Sequence, residues 1–552
     1  MKKYINQLFM GGLLVAAAAF NSCSSDYLDT NPTSSVTDTY AISTTDNAYN
    51  ALNGIAWSMV TQQSNYSNHC GEDAIINLWE NRPSQNFNHN NFAPGWDVIF
   101  NQEFHKRTDS IYDSYAWYYY YQLIGQANVI IARIDNASGS DEDKKFIKAS
   151  ALTFRAFAYE KLIHYYCYRW EDSSNGASQG LVLRLDESTG DLPYSTLAET
   201  YAQIYKDLDE AIALFNESGI DRPSGQVWIP NVNVAHAVYA RAALTKHDYS
   251  KAITEAKAAR VGYPLMSNEE YTAGFCEPTS EWIFGRYASA EENMWYWTYG
   301  TIYAANGYYA SNSSYGAGSI GRELINRIPD GDVRKSLFVT ESALGIDASD
   351  PKVVEQNYGY IGIKPSGQSW ALLNLQAYQA ALNYVAAHQA PGLTEAYAYG
   401  IVEIDAQLKY WVFDTPGVGY LPFIRSSEMV LIEAEANYKL HQEDAAKAAL
   451  IELNKTSGRN PDYTCNLSGD ALWNEIMDYR EVELWGEGFA WRDYKRWNRP
   501  VVRHSFAQGG NAHASVAITI PADGVNKWTW DVPQAETDYN GALNQTALEA
   551  EK

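Results

Sequence analysis

The stretch Ile476–Pro500, IMDYREVELWGEGFAWRDYKRWNRP, limits what this chain can fold into more than any other. It sets Arg480, Glu483, Glu487, Arg492, Asp493, Lys495 and Arg496 among two helical turns' worth of large aromatics. That is too aromatic for a solvated face and too charged for an ordinary core helix. Charges taken out of water need partners. Ile476, Tyr479, Val482 and Leu484 give the first half an apolar helical face. Arg480–Glu483 and Glu483–Glu487 have spacings at which helical side chains meet. Gly486 and Gly488 weaken that helix and permit a bend. A second helical run, Trp491–Trp497, is ended by Pro500. The expectation is an ion-paired structural clasp. The competing reading is a catalytic carboxylate pair, Glu483 with Glu487.

The pattern formed by Arg480, Glu483, Leu484, Glu487, Gly488, Trp491, Asp493, Arg496 and Trp497 resembles the C-terminal signature of SusD-like (SusD/RagB) outer-membrane lipoproteins of Bacteroidetes. Tyr479 and Ala490 depart from it, standing where Glu and Arg are frequent. In that family the motif is structural.

At 552 residues, 46% hydrophobic and 19% charged, the chain is globular and long enough for a large core. The aromatic share of 14%, with 42 Tyr and 17 Trp, leaves many amphipathic rings partly exposed. Such surfaces suit ligands that carry both apolar faces and hydroxyls. The formal net charge is −25, and −27 once Lys2 and Lys3 are removed with residues 1–22. That excludes a nucleic-acid binder, whose affinity comes from cations on phosphates, and adsorption to anionic lipid.

Lys2 and Lys3 precede the apolar run Leu8–Phe20, which is too short to span a bilayer and fits a signal peptide. Ser22-Cys23 follows directly, and resembles a bacterial lipobox in which Cys23 is lipidated. Ser24–Pro32 is polar, as a tether should be, and resembles the Cys-x-x-x-(Phe/Tyr)-Leu-Asp-x-x-Pro opening of SusD-like proteins. Lipid is then the expected membrane attachment, because no later segment has 18 uninterrupted apolar residues. Cys70, Cys167, Cys276 and Cys465 are too irregularly spaced for a compact zinc site. Their pairing cannot be read from sequence, and buried free thiols are at least as compatible.

The expected organisation is a signal peptide at 1–22, a lipidated tether at 23–44, an N-terminal part at 45–270 and a C-terminal part at 271–552. A first helix is predicted over Thr45–Met59, with Asp46 as its cap. Residues 60–110 are irregular and read as a long functional loop. Helices are predicted over Tyr112–Ile134 and Lys144–Trp170, the second with Ala149, Ala151, Ala156 and Ala158 among aromatics. Small residues beside large ones let helices approach closely, as in a tetratricopeptide-like (TPR) hairpin. Ser195–Phe215 with Val232–Lys246, His247–Ala259, and Ser426–Leu440 with Glu443–Asn454 continue the pattern, separated by long insertions. Glu281–Phe284 reads as a short strand, and Tyr420–Ile424 as an extended run. The fold class is therefore mostly α: TPR-like hairpins forming a scaffold, with loop-rich insertions and a few short strands. The resemblance to the SusD-like fold spans Cys23 to the C-terminal tail, where Trp528–Asn540 is similar to the family's closing segment.

No nucleophile elbow, phosphate loop, His-Glu-x-x-His or dinucleotide fingerprint is present. His164, on an aromatic helix face, reads as a core residue. No cofactor or metal is called for. What remains is a binding argument. A pyranose offers an apolar face to an aromatic ring and a rim of hydroxyls to Asn, Asp, Glu, Arg or Gln. Two segments carry that mixture: Trp79, Asn81, Arg82, Trp96 and Asp97, and Asn293, Trp295, Tyr296 and Trp297. The resemblance implies a surface-exposed outer-membrane protein that captures oligosaccharide, without catalysis, for a SusC-like TonB-dependent transporter. The rival expectations are a lipid-anchored helical glycoside hydrolase and a TPR-type peptide-binding scaffold.

Overall fold

Helix caps written in the sequence set most element boundaries. In the computed structural model, α1 (Thr45–Ser58) is capped by Thr44, whose hydroxyl accepts from Asn47 N at 3.1 Å. Asp46, the expected cap, instead lies in the first turn, where its charge favours the helix dipole. Ser110 caps α2 (Ile111–Arg133), and Ser140 caps α3 (Asp141–Tyr166), whose first turn holds three acids. A Thr196/Glu199 capping box opens α4 (Leu197–Ser218), and Gly219 at φ +63° closes it. Then come α5 (Val232–Thr245), α6 (Tyr249–Ala259), α7 (Leu375–Ala387), α8 (Ser426–Lys439), α9 (Glu443–Ile451), α10 (Gly469–Glu483) and α11 (Ala490–Trp497). The structure describes residues 42–63, 66–88, 97–103, 105–292, 298–307, 318–345, 347, 375–398, 402, 404–414, 417–524 and 528–543. Leu8–Phe20, Cys23 and residues 24–41 of the expected tether lie outside them.

The helices pack as a running row. Successive helices from α2 to α6 lie against one another, α8 lies against α6, and α9 against α8. The row is interrupted in sequence by the insertion between α6 and α8, yet continuous in space. Ala149, Ala151, Ala156 and Ala158 are fully buried in α3, as close helix contact requires.

One long strand pair crosses the insertion. β1 (Trp282–Ala288) runs antiparallel to β2 (Gly419–Arg425), with Trp282 opposite Arg425 and Tyr287 opposite Tyr420. β2 leads directly into α8, so the strand register sets where Arg425 points. A main core draws on residues from Ile42 to Leu543, and a second cluster, including Val385, Leu408, Trp411 and Phe506, holds the insertion.

The expected loop at 60–110 is corrected in its middle. Gly71–Ala74 is helical and runs into a π-helical turn, Ile75–Asn81, every residue of which is buried. Its Asn, Gly and aromatic content reads as loop, but the side chains face inward, and Glu72, Asp73, Glu80 and Asn81 pair with distant segments. Cys70, Cys167, Cys276 and Cys465 are all buried. No described helix is long and apolar enough to cross a membrane.

Candidate functional site

The clasp is a buried ion network centred on Arg425. Its Nη1 donates to Glu281 (2.6 Å) and Glu483 (3.1 Å), and its Nε and Nη2 donate to the two oxygens of Glu487 (2.8 and 2.7 Å). Lys409 donates to Glu487 at 2.8 Å and to the carbonyls of Glu483 and Trp485. Arg459 and Arg334 each stand 3.2 Å from Glu483. Burial by itself would raise the Glu483 carboxyl. Arg459, Arg425, Arg334 and Lys409 reverse this and hold it well below the ordinary range. Glu487 is likewise lowered, burial being outweighed by Arg425 and Lys409. A general acid must keep a proton near neutral pH and reach the substrate group it protonates. These two carboxylates do neither, so the catalytic-pair reading is replaced by the structural one.

The pairing differs from the helical spacing. α10 ends at Glu483, and Gly486 and Gly488 adopt φ +82° and +79°. A Cβ on Gly486 would strike the Tyr303 hydroxyl, and one on Gly488 the Glu80 carboxylate. The turn they make sends Arg480 to Asp493 (2.7 Å) rather than to Glu483. Arg496 also donates to Asp493 (2.7 Å), and it pairs with Glu435.

Three of the first set of expected ligand residues are buried, and one of them, Asn81, braces this network. Trp79 is buried, stacks on Tyr115 and donates its indole N–H to the Tyr112 carbonyl at 2.7 Å. Asn81 is buried and braces the clasp, donating to Gly486 O (2.9 Å) and accepting from Gly488 N (3.0 Å). Arg82 is buried, with its guanidinium over Phe87 and Phe100. These three are corrected from surface ligands to core residues, because the π-helical turn is buried: Trp79 faces α2, Arg82 faces Phe87 and Phe100, and Asn81 faces the Gly486–Gly488 turn. Asp97 is exposed at the start of a short helix, Asp97–Phe100. Trp96, Asn293, Trp295, Tyr296 and Trp297 lie outside the described residues. His164 is buried, as expected, 2.8 Å from Glu160.

Exposed aromatic surface gathers elsewhere. The cross-strand neighbours Tyr287 and Tyr420 have ring centroids 4.7 Å apart. Trp228 lies 6.3 and 6.5 Å from them. Tyr287 is 38% exposed, and Trp228 and Tyr420 are half-buried. One side of α1 edges this platform. Trp228 donates its indole N–H to Asn53 at 2.9 Å, and Tyr49 donates to Gln226 at 2.6 Å. Trp57, one turn beyond Asn53, is 54% exposed. At the far end of β1, the carbonyl of Glu292 accepts from Gln62 N at 3.3 Å. Flat faces bordered by amides and phenols match the two-sided chemistry of a sugar. Sequence reading missed the platform because its rings come from three distant segments. The available signal was Tyr287, the one outward residue of a strand otherwise buried.

The family description "Starch-binding associating with outer membrane" matches residues 26–244, and "SusD family" matches residues 375–548. The chain belongs to the SusD-like family. Among solved structures, a SusD-like carbohydrate binding protein from Bacteroides vulgatus aligns with TM-score 0.68 and 21% identity, over 91% of this chain and 98% of that one. A SusD superfamily protein of the same species gives 0.66 and 21%, over 91% and 98%. One from Bacteroides thetaiotaomicron gives 0.63 and 21%, over 91% and 99%. These likenesses are to the SusD-like fold. No curated protein matches the chain. The clasp and the row of helices are thus parts of a SusD-like scaffold. The platform lies partly on that scaffold, through α1, and partly on the strand pair.

Proposed function

We propose that this protein binds oligosaccharide at the cell surface, tethered to the outer membrane by a lipid on Cys23, and passes it to a SusC-like TonB-dependent transporter. The observation that carries the binding reading is the Trp228–Tyr287–Tyr420 platform with its edge of amide and phenol groups. Membership of a family described as starch-binding and associated with the outer membrane supports the substrate class and location. Asn293, Trp295, Tyr296 and Trp297 are proposed as further ligand contacts, with Trp96 and Asp97. Binding is non-covalent and modest per site, because each sugar hydroxyl gives up water for its protein contact.

The test is migration of soluble protein, begun at Ser24, through gels containing plant, host or microbial polysaccharides, with reducing ends assayed in parallel. Retardation without release of reducing ends is expected. Tyr287→Ala and Trp228→Ala are each expected to weaken the retarding interaction by roughly three- to tenfold, the worth of one aromatic contact. Unchanged retardation in both variants would move the site off the platform, and release of reducing ends would replace capture by hydrolysis. Hand-over predicts that the lipidated protein co-purifies with a SusC-like transporter from outer membranes. Loss of that association in Cys23→Ala would assign it to the tether, and its absence from the wild type would remove the partner.

A further inference from the structure

A cleft of about 570 Å³ opens where the end of α3, the segment Ser178–Tyr194 and the C-terminal segment Thr529–Thr537 meet. It shares no residue with the platform, and its size lies within the roughly 300–1,000 Å³ of small-ligand sites. Tyr168, 45% exposed, and Tyr194 offer rings. Across from them Lys106 and Asp531 form an exposed ion pair at 2.8 Å. Such a pair places a donor and an acceptor side by side, the arrangement that two neighbouring hydroxyls complete. It also leaves the cleft without net charge from the pair, so neither an anionic nor a cationic ligand is favoured.

Two polar groups at this cleft lack partners among the described residues. Ser178 Oγ, on its lining, is buried with no hydrogen bond. The Asp113 carboxyl, behind the lining residue Tyr166, is buried with both oxygens unbonded, while Tyr166 donates to the Asp113 carbonyl at 2.6 Å. Burial, with Asp531 adding to it and Lys106 opposing, raises the Asp113 carboxyl to about 8, so at neutral pH it keeps its proton and adds no charge. Of the two, Ser178 Oγ is on the lining, and an orphaned polar group there points to water or a hydroxylated ligand as its missing partner.

We propose that this cleft is a second binding site, for one neutral pyranose unit, with Tyr168 against the apolar face of the sugar and the Lys106–Asp531 pair on two adjacent hydroxyls. The proposal stands apart from the platform reading, since the two sites have no residue in common.

The test is saturation-transfer NMR, with titration, using the soluble chain begun at Ser24 and the methyl α- and β-glycosides of glucose, galactose, mannose and xylose. At least one glycoside is expected to bind saturably to the wild type and to Tyr287→Ala. Tyr168→Ala is expected to weaken that binding by at least about fivefold, and Asp531→Asn by about tenfold. Both substitutions are at exposed side chains, and an unchanged thermal midpoint confirms folding. No saturable glycoside, or binding that survives both cleft variants, overturns the proposal. Binding lost in Tyr287→Ala but kept in the cleft variants also overturns it, while sustaining the platform. The reverse pattern sustains the cleft and leaves the platform to its own test, retardation by polysaccharide.

Discussion

Arg425→Met is expected to lower the free energy of unfolding by ~3–5 kcal/mol, the cost of stranding buried charge. Glu281, Glu483 and Glu487 all rely on this one guanidinium. Arg459, Arg334 and Lys409 remain, but they cannot replace a planar group that reaches three carboxylates and a carbonyl at once. Arg425→Lys keeps the charge and loses the fork, so an intermediate loss is expected. The check is the guanidinium midpoint at pH 7. Because the group is buried, 1 M salt is not expected to reproduce the effect in the wild type. The folded-state carboxyls of Glu483 and Glu487 are depressed, so the stability they contribute is present above their unfolded pKa and is lost as pH falls through the folded one. The gap between Arg425→Met and wild type is therefore expected to narrow below about pH 4. A midpoint equal to wild type at pH 7 would refute the clasp as a stabilising network.

Glu481→Gln is expected to do the opposite. Glu481 is buried beside Asn86 and Tyr494 with no cation in its immediate contacts. Burial raises its carboxyl to about 7, the hydrogen bonds from Asn86 and Tyr494 opposing only in part. The unfolded chain releases this proton near its ordinary value of about 4.5. Between those values the folded state holds the extra proton, so stability falls as pH rises through the window and stays lower above it. The amide cannot ionise and keeps an acceptor for both neighbours. At pH 8 the variant is expected to be more stable by ~3 kcal/mol, with little difference at pH 4.5. Unfolding midpoints across pH 4.5–8 measure this. A pH slope identical to wild type would mean that Glu481 ionises freely.

Much of the scaffold was legible because helical spacing is local. Helical spacing alone put the boundaries of α2, α3 and α4 within a few residues of those found, while the caps Ser110, Ser140 and Thr196 emerged only in the structure. The clasp was legible for a different reason. Charges packed among tryptophans have no stable state except mutual pairing. Its partners were not legible: helical spacing suggested Arg480 with Glu483, but the Gly486–Gly488 turn gives Arg480 to Asp493 and leaves Glu483 to cations from far along the chain.

The candidate ligand residues show the sharper limit. Trp79, Asn81 and Arg82 have the composition of a sugar-binding loop, yet face inward, because a side chain's chemistry does not say which distant segment will cover it. Tyr287 and Tyr420 stand together only through an antiparallel register joining strands on either side of a long insertion. By itself the sequence determined the helices, the buried pairing of the clasp charges and the family, since these follow from neighbours a few residues apart or from a contiguous motif. Only the tertiary structure decided which aromatics are buried and which form a surface. Burial and strand register are set by contacts between distant segments, and the same Trp or Tyr serves equally well as core or as platform.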